Sequence, residues 1–310
     1  LRLPFVVGAG AAAERINIVL YMTLLSTAPP VGEATLTEEG DAKWYKTLGF
    51  TIARNDDRLL ELSIDGETCG TTCEPVHHTL TFDVRTGRSI DLLDVFAPAG
   101  LTVIATRMKA ERMRRYRDQV RRLARFKEDR FSELGNKLTF NEECLKTETK
   151  YDTPVESLAA AFAAKSVTVT AERCGSQATR AYDDVGDVSL TFAYGDAKMP
   201  TTGYGKALLL GGGDVAPPTS PFGQALRGTI GAATVTAVLE RPNRDGTFNG
   251  HYFHDKRRTT IPLRGRLEHD GTIQLIESAN TRFALTLVGA TLTGKGADDS
   301  RATDVRLEAK

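Results

Sequence analysis

The chain has 310 residues, 41% of them hydrophobic and 26% charged, the make-up of a globular protein. Forty Lys and Arg balance forty Asp and Glu, which argues against a nucleic-acid binder with its large basic excess. No apolar run reaches the roughly 18 residues of a membrane-spanning helix, so no span is expected, and the length suits two domains.

Residues 11–27 place Ile16, Leu20, Leu24 and Leu25 on one helical face, and Pro29-Pro30 stops that helix. From 47 to 67 the pattern switches to period two, with Asn55-Asp56-Asp57 as a hairpin turn. Leu80, Phe82 and Val84 alternate in a further strand, Thr86-Gly87 turns, and Ile90 opens the next piece. Residues 101–131 predict one long helix with an imperfect apolar stripe from Ile104 to Phe131. It carries eleven Lys and Arg against four acids, a local charge of +7 that leaves −7 for the rest of the chain. KLTF at 137–140 predicts a strand, PVESLAAAFAA at 154–164 a helix opened by Pro154, and 166–172 and 187–195 two alternating strands.

GGGDVAPPTSPFG, residues 211–223, has no apolar periodicity and predicts a linker. Beyond it, six short alternating segments within 226–310 are separated by turn signals that include Asp245-Gly246 and Asp270-Gly271. The expected fold is α+β over 1–210, an antiparallel sheet with a long crossing helix. A small all-β barrel-like or sandwich domain follows at 224–310.

Cys69 and Cys73 flank the tripeptide Gly70-Thr71-Thr72, and Cys144 and Cys174 lie thirty positions apart. Pairing 69–73 and 144–174 is expected, the first bracketing a turn and the second joining segments of one domain. Bridged cysteines imply the periplasm or the outside of the cell. The rival reading is zinc held by Cys69, Cys73 and the His77-His78 pair. That spacing departs from C-x2-C and H-x3–5-H, and adjacent histidines on a strand face opposite ways. The opening LRLPFVVGAGAAAERIN lacks a cationic stretch ahead of a long apolar core, as a mature chain with its leader removed would.

Nucleophile elbows, H-E-x-x-H, Walker A and Rossmann glycine patterns are all missing from the sequence, so no catalytic residue, metal or other cofactor is expected. Asp183-Asp184 and Asp187 cluster around Gly186 without the D-x-D-x-D-G spacing of a calcium loop. Tyr252 and His254 share a face of a predicted strand and read as a partly exposed aromatic and imidazole surface. Seven arginines crowd 112–125, with Arg114, Arg117, Arg121 and Arg125 foremost. Like-charge repulsion on such a face calls for an offset, either acids of the same fold, such as Asp183-Asp184, or an external anion.

The segments PFVVG…RINIVLY and RNDDRLLELSIDGETCGTTCEPVHHTLTFDVRTGRSIDLLDVF carry further features. An early helix bears Ile16-Asn17, a hairpin ends in a Gly- and His-containing turn, and Phe82-Asp83…Thr86-Gly87…Asp94-Val95-Phe96 follows. In these, and in DVSLTFAYGDAKMP, residues 1–205 or so resemble an extracytoplasmic bacterial domain. That domain occurs in lysozyme-sensing anti-sigma factors and as the accessory region of some peptidoglycan deacetylases. No deacetylase motif follows, so that activity is not implied. The tail looks similar to small β-modules of secreted Gram-negative proteins. The expected function is a non-catalytic secreted or periplasmic binding protein of the bacterial envelope, whose partner is an envelope polymer or another envelope protein. The alternative is a cell-wall-directed hydrolase or inhibitor with a site between the domains.

Overall fold

A computed structural model describes residues 1–8, 10–31, 43–70, 73–126, 132–196, 198–289, 291–298 and 301–309. The chain divides into two compact units: Leu1–Ile90 with Ala216–Lys310, and Asp91–Val215.

The first unit opens with α1 (Ala11–Leu25), which ends where Ser26 turns left-handed, just ahead of the proline pair. Three long strands follow, β1 (Tyr45–Asn55), β2 (Leu59–Cys69) and β3 (Cys73–Asp83), with the short β4 (Ser89–Ile90), in an antiparallel sheet of order β1-β2-β3-β4. The β2–β3 register runs without a break from Leu59↔Asp83 to Cys69↔Cys73. Leu60, Leu62, Ile64 and Phe82 are buried in one cluster with Ile16, Leu20 and Leu24 of α1. Gly87, at φ 75°, makes the turn after β3; a Cβ there would lie 2.6 Å from the Ala12 carbonyl oxygen.

The second unit begins with α2 (Leu92–Val95), held by a reciprocal cap between Asp91 and Asp94. Then come α3 (Pro98–Leu123), with Pro98 in its first turn, and α4 (Glu133–Lys150), capped by Ser132, whose hydroxyl accepts from the Gly135 N–H at 3.0 Å. Strands β5 (Ala159–Phe162), β6 (Ser166–Ala171) and β7 (Val188–Ala193) form an antiparallel sheet, and α5 (Gly203–Leu210) closes the unit. α3 packs on α4 and β7.

The chain returns to the first unit for β8 (Ala225–Ile230), β9 (Ala233–Leu239), β10 (Thr247–His254), β11 (Thr260–Leu267), β12 (Thr272–Ile276), β13 (Arg282–Val288), β14 (Thr291–Asp298) and β15 (Arg301–Ala309). Each strand pairs antiparallel with the next and β15 pairs with β8, closing an eight-stranded barrel without free edges. Inward side chains fill the lumen, among them Leu226, Val235, Tyr252, Leu275, Phe283 and Leu307, leaving a void of about 10 Å³. Glycines stand opposite the large rings, Gly265 across from Phe248 and Gly296 across from Phe283, where any Cβ would enter the ring. On the outer surface, Ala225, Val238 and Phe253 join the α1 cluster, so β9 is buried on both faces.

The α+β class with a C-terminal barrel is as expected, and both bridges are present, Cys69–Cys73 and Cys144–Cys174. Three local readings are corrected. KLTF lies inside α4, because Asn141, Cys144 and Glu148 turn inward at helical spacing and their polarity hides the stripe. Ala159–Phe162 is strand, since pairing with β6 and burial of Phe162 outweigh the helix propensity of alanine. The long helix ends at Leu123, followed by one 3-10 turn over Ala124–Phe126, and the rest of the predicted span, 127–131, lies outside the described residues. α5, β8 and β14 were not anticipated. The compact units also differ from the division expected at 211–223. That segment has no helix or strand and is largely exposed up to Thr219, but residues 1–90 group with the barrel. Arg88 shows why: it is buried, and its guanidinium donates to the Pro218 and Ser220 carbonyls at 3.3 and 3.1 Å.

Candidate functional site

Arginine-rich α3 distributes its charges by helical geometry. Arg112 turns inward, and its Nη2 lies 2.6 Å from Glu148 Oε1 of α4. Arg114 and Arg115 share Glu111 at 2.7 and 2.9 Å, and these two bonds hold the Glu111 carboxyl well below its usual value, at about 2. Arg114 also reaches Asp118 at 3.1 Å, and Arg122 reaches Asp184 at 3.5 Å. The acids of the 183–187 loop are thus engaged within the unit. Asp183 accepts from the Gly175 and Gly186 N–H groups, and Asp187 accepts from the backbone N–H of Arg173. Arg121 has only a 3.9 Å contact to Asp118, and Arg117 and Arg125 have no ion pair among the described residues. Arg117 and Arg121 lie one turn apart on α3 and Arg125 follows in the 3-10 turn that extends it; all three are exposed.

Tyr252 and His254 belong to the first unit, the arginines to the second. They do share a face of β10, with ring centroids 5.5 Å apart, but the face is the lumen side and Tyr252 is only 4% exposed. The Tyr252 hydroxyl donates to Glu277 Oε2 at 2.8 Å; burial and this bond raise its pKa above the usual tyrosine range. Tyr252 therefore belongs to the barrel interior, with half-buried His254 beside it, and does not present an open aromatic surface.

Two further groupings escaped the sequence reading. On the polar face of the β2–β3 hairpin, Asp65 Oδ1 lies 2.7 Å from His77 Nδ1, and His77 Nε2 lies 3.3 Å from the Thr79 hydroxyl. Counting rungs from a Cys69–Cys73 bridge places Asp65 opposite His77, so the signal was there. The same face brings Glu67 beside Cys69 and Cys73, but both sulfurs are committed to the bridge. A cleft of about 580 Å³ also opens between the N-terminal segment, α1 and the barrel wall. Asn17 fixes its rim by gripping the backbone of Val6 at 2.8 and 2.9 Å, and Glu14 pairs with Arg227 across it.

Compared with family models, curated proteins and solved structures, the chain matches none.

Proposed function

We propose that this chain is a non-catalytic, extracytoplasmic binding protein of the bacterial envelope that docks on an anionic envelope polymer through the exposed arginines of α3 and the 3-10 turn that follows it. The observation that carries the reading is the state of three arginines. Arg117 and Arg125 have no ion pair among the described residues, and Arg121 has one contact at 3.9 Å, while their neighbours are engaged by Glu111, Glu148 and Asp184. Neighbouring cations bind a repeated anion well, because once the first contact is made the later ones are intramolecular. The two disulfides are compatible with an oxidising compartment, and no helix among the described residues is long and apolar enough to cross a membrane. The resemblance of residues 1–205 to the domain of anti-sigma factors and deacetylases points to the same compartment.

The test is co-sedimentation with purified cell-wall sacculi that retain their phosphate-bearing polymers, and with sacculi stripped of them. Native chain should sediment with the first, less so at high salt, and poorly with the second. The variant R117E/R121E/R125E should lose at least about tenfold in affinity with an unchanged melting temperature. Undiminished binding by that variant overturns the docking surface, and binding only to an acidic envelope protein replaces the polymer as partner.

A further inference from the structure

The second unit has its own cleft, of about 270 Å³, where the end of α4 meets the segments flanking β5 and β6. We propose that it is a binding site for a neutral sugar ring. Its lining carries two arginines, Arg112 and Arg173, against Glu148, Asp152 and Glu172, so the charges nearly cancel and favour neither a strong anion nor a strong cation. The lining also carries the hydroxyl-bearing Thr147, Thr153 and Ser157, and such a mix of donors and acceptors is the chemistry that neighbouring hydroxyls of a pyranose require.

Three details fit that occupant. Glu148 is about nine-tenths buried, and both bonds from Arg112 fall on Oε1, so Oε2 has no hydrogen-bond partner among the described residues. Arg112 also donates to the Glu172 carbonyl at 2.6 Å, which locks the guanidinium and orients the carboxylate before any ligand arrives. The Thr153 hydroxyl, also in the lining, is shut off from solvent and has no hydrogen-bond partner among the described residues. Tyr151 lines the cleft with its side chain largely exposed, as a flat apolar platform for the C–H face of a sugar, and the Lys150 ammonium lies 4.9 Å from its ring centroid.

The inference adds a ligand class to the envelope reading but does not depend on the three exposed arginines. Titration of the full chain, followed by NMR shifts or calorimetry, uses N-acetylglucosamine and its β-1,4-linked disaccharide as probes, with glucuronate and glucosamine as charged comparators. The neutral sugars should bind saturably, with Kd on the order of millimolar. Tyr151→Ala should weaken binding by about tenfold, and Thr153→Val by a factor of about three to ten, both without lowering the melting temperature. R117E/R121E/R125E should bind the sugars as the native chain does, so failure of one reading leaves the other standing. Absence of saturable binding, preference for either charged sugar, or undiminished binding by both Tyr151→Ala and Thr153→Val overturns the site.

Discussion

Tyr116 ties α3 to the loops of the second unit. It is fully buried; its oxygen accepts the Cys174 N–H at 3.1 Å and lies 3.4 Å from both carboxylate oxygens of Asp183. Burial, foremost, pushes its pKa up from 10 to about 12. The neutral phenol is therefore favoured by the folded state. Its contribution is complete below pH 10 and is lost as the pH rises from 10 towards 12, at up to about 1.4 kcal/mol per pH unit. Tyr116→Phe should lower stability by about 1–2 kcal/mol at neutral pH, since it leaves the Cys174 N–H without its acceptor. It should also flatten the alkaline decline. Denaturant melts of both proteins at pH 8, 10 and 11 would check this; equal alkaline slopes would refute a buried neutral Tyr116. The apolar stripe of the long helix includes Tyr116 and so marks it as inward, but nothing near it names the partners of its hydroxyl, which lie about sixty positions downstream.

At the level of elements, the two disulfides have unequal work. The Cys69–Cys73 bridge closes a loop of only five residues, at the end of a hairpin already fixed by a continuous ladder. The Cys144–Cys174 bridge fastens α4 to the segment after β6 across a separation of thirty. Loop-closure entropy assigns about 2 kcal/mol to the first and between about 3.5 and 4 kcal/mol to the second. C69S/C73S should therefore melt only slightly below the native chain, and C144S/C174S well below it, as calorimetry of the two double variants would show. Equal losses would mean that the hairpin depends on its bridge. The pairing was legible because proximity in sequence and membership of one segment group constrain it. The helix holding Cys144 was not legible. Its inward residues are Asn141, bonded to the Tyr182 carbonyl at 3.1 Å, a bridged cysteine and an ion-paired glutamate, so the apolar period that announces a helix is absent.

For the molecule as a whole, the second unit is an insertion. It leaves the first unit after Ile90 and returns before Ala216, and the flanking Ser89 donates its N–H to Gly223 at 2.8 Å. Protease should cut within the exposed stretch 212–219, but no free barrel should appear, because Ala225, Val238 and Phe253 share a core with α1. Gel filtration of nicked protein should show one species that separates only in denaturant; a free C-terminal fragment under native conditions would contradict the shared core. The sequence by itself determined the α+β class, the β-rich tail, the cysteine pairing and the charge of α3, since each follows from local period, turn chemistry or count. Tertiary structure alone decided that the barrel closes, that α1 belongs to it, which arginines keep a free charge and where the clefts lie. Those depend on which distant residue stands opposite, and a period-two or period-3.6 pattern records only which side of an element is apolar, not what covers it.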